Sequence, residues 1–163
     1  MARKVFTSFH YIPDNWRANI VRNMGKIEGN AIVSTNKWEE VTNGGNKAIE
    51  KWIDENMYGK SCVIVLVGEK TAGRKWIDYE IKKAWNEKRG LVGIHIHNLK
   101  DKNGNQANKG RNPFEVFKVG GKSLSSIVKC YNPPYRESTS VYSHIEDNLE
   151  DWVEEAIQIR SEY

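Results

Sequence analysis

Cysteine is scarce in this sequence, with only two among 163 residues. So low a number excludes a disulfide-rich scaffold and favours a reduced, cytoplasmic setting. No apolar run approaches the length of about 18 residues that spans a membrane, and the opening segment MARKVFTSFHY lacks the apolar centre of a secretory signal. We therefore expect no membrane association. The length predicts a single domain over residues 1–163.

Sequence signatures of the large nucleotide-binding and redox families are also missing. The chain contains no GxGxxG, no GxxxxGK[ST] and no CxxC motif, which argues against Rossmann, P-loop and thioredoxin-like proteins. Charge, in contrast, is abundant and uneven. Residues 146–163 carry seven acids and one base, which leaves a formal charge of +10 on residues 1–145. A basic body attracts phosphate-bearing ligands, whereas the acidic end is typical of the solvated face of a terminal helix.

Apolar runs alternate with amphipathic stretches along the chain. The runs predict five strands, at Arg3–Phe9, Ala31–Ser34, Ser61–Val67, Leu91–His97 and Ser126–Tyr131. Apolar residues at helical spacing predict helices after each of the first three, the first through Trp16, Ile20 and Met24, and a closing helix at Val141–Arg160. This order predicts an α/β fold: a flavodoxin-like three-layer sandwich with a mostly parallel five-stranded sheet. An elaborated loop region is expected at about 98–140.

One carboxylate falls on the apolar face of a predicted helix. At about 100° per residue, Glu80 lies near 40° from Trp76, between that ring and Ala84 at about 80°. A carboxylate among core-facing aromatics usually needs a partner or a function. One interpretation is a catalytic or ligand-binding group. The other is a glutamate at the rim of the core, paired with a lysine, and helical geometry does not separate the two.

Other candidate residues come at the carboxyl ends of the predicted strands, where parallel sheets bind ligands. His10 directly follows the first strand, where it either contacts a phosphate or ribose or is an ordinary loop residue. His95 and His97 share one face of the fourth strand, and such a pair can ligate a metal. No third ligand is placed by the sequence, so packing is favoured and no metal site is predicted. The aromatic residues near these ends either stack on a base or pack in the core; they are Phe6, Phe9, Trp38 and Trp76.

Three stretches resemble a known family. VFTSFHY resembles the opening strand and loop of TIR domains. TAGRKWIDYEI resembles their third-helix motif, in which the catalytic glutamate follows a small hydroxyl residue and an aromatic. GIHIHNLKDKNGNQANKGRNPF is absent from generic TIR domains and resembles the TIR-like family of Thoeris anti-phage systems. Together the three stretches spread over residues 5–114.

The resemblance implies a TIR-like enzyme that cleaves NAD+, releases nicotinamide and makes a cyclic ADP-ribose-type signal. NAD+ is then a substrate, and neither a metal nor a bound cofactor is expected. The motif assigns the catalytic role to Glu80. The first loop assigns substrate binding to Phe6, Ser8, Phe9 and His10, and nearness to the site adds Trp38, Trp76 and Tyr79. The implied partners are a separate effector protein that responds to the product, a phage-derived trigger and further copies of the chain in a homo-oligomer.

Three alternative functions stay open. Many folds of this kind act as non-enzymatic interaction or signalling modules. A nucleoside deoxyribosyltransferase-like enzyme would share a similar sheet and a glutamate that acts on a ribose, although the stretch KDKNGNQANKGRNPF favours the TIR-like family. Nucleic-acid binding is disfavoured, because the lysines are interspersed with acids rather than gathered in one patch.

Overall fold

The centre of the molecule is a parallel β-sheet. A computed structural model describes residues 2–29 and 35–163, and for residues 35–37 the backbone only. The strands are β1 (Arg3–Ser8), β2 (Ile27–Glu28), β3 (Cys62–Val67), β4 (Gly90–His95), β5 (Lys118–Val119), β6 (Lys122–Ser123) and β7 (Cys130–Tyr131). Five of them form the sheet in the order β2-β1-β3-β4-β7, with every pairing parallel. The predicted flavodoxin-like α/β architecture is confirmed.

Helices cover both faces of this sheet. They are α1 (Tyr11–Arg22), α2 (Thr35–Asn43), α3 (Asn46–Met57), α4 (Lys75–Asn86) and α5 (Ser138–Ser161). Side chains of β3 alternate between the faces, because successive residues of a strand point opposite ways. Ile64 and Leu66 pack with α1 and α5, whereas Val63 and Val65 pack with α3 and α4. In the described part of the chain, every helix is too short or too polar to cross a membrane.

One strand prediction falls outside the described residues, and another differs from the structure. The first is Ala31–Ser34; among the described residues, the strand at the edge of the sheet beside β1 is Ile27–Glu28. The predicted strand Ser126–Tyr131 is shorter than expected. A 3₁₀ turn at Leu124–Ser126 precedes it, and only Cys130–Tyr131 pairs with β4.

The apolar spacing predicted the buried face of α1 only in part, since Met24 is buried and Ile20 packs against the core, but Trp16 does not. Trp16 is 49% exposed, whereas Asp14 and Arg17 are buried. The Arg17 guanidinium donates to the Leu99 carbonyl oxygen at 2.7 Å and the Asn105 carbonyl oxygen at 2.9 Å, and it pairs with the Asp14 carboxylate at 3.2 Å. The Asp14–Arg17 ion pair is therefore buried on α1, where an apolar side chain was expected. The hydrogen bonds from Arg17 to Leu99 and Asn105 hold the loop after β4 against α1.

That loop folds back over the ends of β3 and β4. The Ala107 amide donates to the His97 carbonyl oxygen at 2.9 Å, and the Asn108 amide donates to Glu69 Oε1 at 2.8 Å. Gly110 lies so close to Gly68 that a Cβ at position 110 would overlap the Gly68 carbonyl oxygen. The loop therefore covers the carboxyl ends of β3 and β4, on one side of the crevice between β1 and β3.

Candidate active site

A cleft of about 530 Å³ opens at the carboxyl ends of β1 and β3. The chain runs from β1 outward to β2 and from β3 in the opposite direction to β4, so this is the switch point at which open parallel sheets bind ligands. The segment after β1, the segment after β3 and helices α2, α3 and α4 form the walls. Its aromatic, basic and acidic lining residues are Phe9, His10, Tyr11, Arg22, Trp38, Trp52, Lys70, Arg74, Lys75, Trp76 and Glu80.

Glu80 lies at the inner end of this cleft. It belongs to the second turn of α4, on the same face as the core residues Ile77 and Ala84, and it is only 6% exposed. Ser8, the last residue of β1, donates its hydroxyl to Glu80 Oε1 at 2.7 Å. Burial raises the pKa of the Glu80 carboxyl to about 8, although the Ser8 hydrogen bond opposes that rise. The result is a buried carboxyl that changes its charge near physiological pH.

One wall of the cleft is a run of aromatic rings. Trp38 of α2 stacks on Tyr11 with ring centroids 5.2 Å apart, and it meets Trp52 of α3 edge-on at 5.6 Å. Phe9 continues the run, 6.1 Å from Tyr11. Such rings offer flat apolar faces to a heterocyclic base and keep water away from the carboxyl. Trp52 was not singled out as a site residue, because its place on the apolar face of α3 indicated only a core role.

Cations are gathered on the segment after β3. Lys70 and Arg74 line the cleft near His10, and their charges add to burial in lowering the pKa of that imidazole. These effects favour the neutral form of His10. Its Nδ1 is buried and has no hydrogen-bond partner among the described residues. A cleft with these cations and an apolar wall fits a ligand that carries both phosphates and rings.

The structure separates the predicted substrate-binding residues into three groups. Phe9, His10, Trp38 and Trp76 line the cleft. Ser8 reaches the cleft through its bond to Glu80. Phe6 and Tyr79 do not line it: Phe6 is fully buried in the core beneath Trp52, and the Tyr79 hydroxyl donates to Asp54 at 2.9 Å. The place of Phe6 follows from strand alternation, since its side chain enters the α3–α4 core.

His95 and His97 lie outside this cleft. Their rings are 5.8 Å apart and both are buried, with desolvation and the charge of Lys109 lowering the pKa of each. For His95 the value is about 4. Within residues 2–29 and 35–163, no three His, Cys, Asp or Glu side chains converge as a metal site would require. The pair instead lies under the loop that folds back over β4.

The fold and the site define a flavodoxin-like α/β protein with a cleft at the switch point of its sheet and a buried carboxyl at the inner end of that cleft. Comparison with known families agrees. Residues 6–101 match the family model of the Thoeris protein ThsB, TIR-like domain, and the chain belongs to this family. It is also similar to a protein of Bacillus cereus (strain MSX-D12) named "Putative cyclic ADP-D-ribose synthase ThsB1". The two are 37% identical over 133 residues, which cover 76% of this chain and 69% of the relative.

Proposed function

We propose that this protein cleaves NAD+, releases nicotinamide and joins the remaining ADP-ribose into a cyclic product that acts as a signal. The observation that carries the proposal is the Glu80 carboxyl, buried at the inner end of an aromatic and basic cleft and held by Ser8 at 2.7 Å. Membership of the ThsB family and the name of the Bacillus cereus relative support the same activity.

The reaction begins with the bond between the nicotinamide nitrogen and C1 of its ribose. When this bond breaks, its electron pair goes to the nicotinamide ring and neutralises the ring's positive charge. Positive charge then develops on the ribose, as it does in glycoside hydrolysis. The Glu80 carboxylate stabilises that charge electrostatically and accepts hydrogen bonds from ribose hydroxyls. Nicotinamide leaves as a neutral molecule, so the site needs no strong acid.

Glu80 must be ionised to play this role. A pKa of about 8 means that most of the carboxyl is protonated at pH 7 in the free protein. The cationic nicotinamide ring of the substrate favours the ionised form, because an opposite charge nearby lowers the pKa of a carboxyl. Substrate binding therefore supplies the charge that brings the catalytic carboxylate into its active form.

The aromatic wall favours cyclisation over hydrolysis. Tyr11, Trp38 and Trp52 form a contiguous apolar surface along the cleft. Exclusion of water leaves a nucleophile within the same ADP-ribose to attack C1. Its attack forms the ring bond and releases one proton, so NAD+ gives a cyclic product, nicotinamide and H+. Attack by water instead gives linear ADP-ribose.

Mass spectrometry of the products from purified protein and NAD+ tests the proposal. Nicotinamide and a cyclic ADP-ribose isomer are expected from the wild type, and Glu80→Gln should produce neither. Glu87→Gln is a matched control, since Glu87 directly follows the last residue of α4 and pairs with Lys83 and Arg89 away from the cleft. Turnover by Glu80→Gln equal to that of the wild type would exclude the role of Glu80. A deoxyribosyltransferase would instead exchange bases between deoxynucleosides.

The activity of such an enzyme is expected to depend on a phage-derived trigger, so the same products should also be measured in infected cells. Nicotinamide and cyclic product should accumulate during phage infection in cells that carry the wild type and not in cells that carry Glu80→Gln. The product would then act on a separate effector protein. Assembly into a homo-oligomer is expected on the family resemblance and is measured by light scattering before and after activation.

A non-enzymatic interaction module is the second candidate. The observation that favours it is the exposure of two apolar side chains one turn apart on α1, Ile12 at 69% and Trp16 at 49%. Exposed apolar side chains of this size are typical of surfaces that bind partners. This candidate predicts a stable complex and no NAD+ turnover, both in the purified protein and during infection.

A further inference from the structure

We propose that Arg111, on the loop after β4, is a phosphate-binding residue of the cleft that recognises the pyrophosphate of a dinucleotide. The inference rests on the proposed function for the identity of the substrate. The position lies beyond residues 6–101, which the family model matches. The loop would thus add one positive charge to those of Lys70 and Arg74, which line the cleft.

Gly73 connects Arg111 to the cleft. This glycine lines the cleft and has a φ of +83°, a backbone conformation that side chains rarely allow. A Cβ built at position 73 would lie 3.4 Å from an Nη atom of Arg111. The guanidinium of Arg111 therefore lies against the bare backbone at the rim. Among the described residues it has no hydrogen bond or ion pair, so its donors are available to a ligand.

The backbone on both sides of Arg111 is held in place. On the N-terminal side, the Asn108 amide donates to Glu69 at 2.8 Å, and Gly110 lies against the Gly68 carbonyl oxygen. On the C-terminal side, Phe114 is fully buried in the core, and its amide donates to Asn112 Oδ1 at 2.9 Å. A short segment fixed at both ends presents its side chain at a defined place, which a phosphate site requires.

The Gly73 backbone near Arg111 is flanked in sequence by cations that line the cleft. Lys70 and Arg74 line the cleft within three residues of Gly73, and both act electrostatically on His10. Helix α4 begins at Lys75, and the first backbone N–H groups of a helix have no partner within it. The acid among the lining residues, Glu80, lies a turn and a half further along α4. Cations and helix amides thus meet at one end of the cleft, opposite in charge to a pyrophosphate.

Ribose and pyrophosphate must therefore occupy different parts of the cleft. The ribose that loses nicotinamide lies at Glu80, whereas the pyrophosphate lies towards Gly73 and Arg111. An arginine suits the latter position, because its planar guanidinium forms paired hydrogen bonds to phosphate oxygens. Arg111 would then fix the ADP part of the substrate while the bond to nicotinamide breaks.

Binding of ADP to the Glu80→Gln variant tests this inference without any turnover. Isothermal titration calorimetry would measure the ADP affinity of that variant and of two further variants, Glu80→Gln/Arg111→Ala and Glu80→Gln/Arg111→Lys. Loss of a charged hydrogen-bond donor is expected to weaken ADP binding by about ten- to hundred-fold. Lysine should restore part of the affinity, since it keeps the charge and loses the paired geometry. In the otherwise wild-type enzyme, Arg111→Ala should raise the KM for NAD+ far more than it lowers kcat.

Lys102→Ala in the same background is the matched control, because Lys102 is an exposed cation of the same loop. The inference is overturned if Arg111→Ala leaves the ADP affinity unchanged, if Lys102→Ala weakens it equally, or if the parent variant fails to bind ADP at millimolar concentration. A wild type that binds ADP through Arg111 but never cleaves NAD+ would overturn the proposed function and leave the phosphate site established.

Discussion

The Ser8 hydroxyl donates a hydrogen bond of 2.7 Å to Glu80 Oε1 and so joins the end of β1 to the second turn of α4. Two residues 72 positions apart in the chain thereby meet at the inner end of the cleft. Burial and this bond act in opposite directions on the carboxyl, and burial dominates, since the pKa rises to about 8. The Ser8 hydrogen bond therefore favours the ionised form of Glu80, against the larger effect of burial.

Removal of that hydroxyl should shift the pH dependence of catalysis. In Ser8→Ala the pKa of Glu80 is expected to exceed the wild-type value of about 8, because the bond that lowers it is lost. The rise of kcat/KM with pH should move to more alkaline pH, with lower activity at pH 7. Measurements of kcat/KM between pH 6 and 10 check this. Ser61→Ala, at the opposite end of the sheet, should keep the wild-type profile, and an unshifted profile in Ser8→Ala would contradict the role given to Ser8.

At alkaline pH, Glu80→Gln should be more stable than the wild type, although it is less active. The carboxyl ionises near 4.5 in the unfolded chain and near 8 in the folded protein. The folded state therefore holds a proton that the unfolded state has lost, and wild-type stability falls as pH rises from 4.5 to 8. At about 1.4 kcal/mol per pKa unit, a neutral glutamine should be a few kcal/mol more stable than the wild type above pH 8.

Urea unfolding of both proteins at pH 5 and pH 9 measures this difference. The two free energies of unfolding should be similar at pH 5 and should separate at pH 9. Activity of Glu80→Gln should fall by about 100-fold or more, the scale of a lost electrostatic stabiliser. Equal stability of the two proteins at pH 9 would show that Glu80 is less desolvated than its 6% exposure indicates.

Trp38→Ala should change the products as well as the rate. Trp38 stacks on Tyr11 and meets Trp52, so its removal opens the aromatic wall to water. The ratio of linear ADP-ribose to cyclic product is expected to rise several-fold, because water then competes for the ribose. Chromatography with mass detection gives this ratio. Trp16→Ala, an exposed tryptophan of α1, serves as the control and should leave the ratio as in the wild type.

Gly110→Ala should loosen the loop after β4. A Cβ at this position would overlap the carbonyl oxygen of Gly68, and backbone there has little room to move. The expected cost is about 1–3 kcal/mol in the free energy of unfolding, the range for overpacking. Gly29→Ala is the control, since its Cβ would approach the flexible side chain of Arg22 no closer than 3.5 Å. If both variants unfold like the wild type, the loop does not dock on Gly68.

The parts of the fold that the sequence predicted best are those in which one residue pattern dominates. β3 is a continuous apolar run and was located within one residue, and α4 lies where apolar residues repeat at helical spacing. The same spacing placed Glu80 on the buried face of α4. Its partner Ser8 was expected on the ligand side of the first loop, and the bond between the two is a tertiary contact that a linear pattern does not encode.

The features that the sequence did not predict also have physical causes. Helix α2 was not predicted, because most of its residues are polar and its Trp38 packs on rings from α1 and α3. The spacing in α1 was wrong for Trp16, because Asp14 and Arg17 form an ion pair and are buried on that helix in place of the tryptophan ring. The docking of the loop on Gly68 depends on two glycines from distant segments, and sequence spacing alone cannot bring them together.

The acidic surface of α5 has a consequence for how substrate arrives. Helix α5, which carries most of the acids near the end of the chain, packs with α1 against one face of β3 and β4. The cations Lys70 and Arg74 line the cleft at the carboxyl ends of the strands. The acids of α5 and the cations of the cleft therefore lie on different parts of the molecule. We expect a dinucleotide with two negative phosphates to be drawn towards the cations before any contact forms. Long-range attraction of this kind would raise the rate at which substrate reaches the cleft.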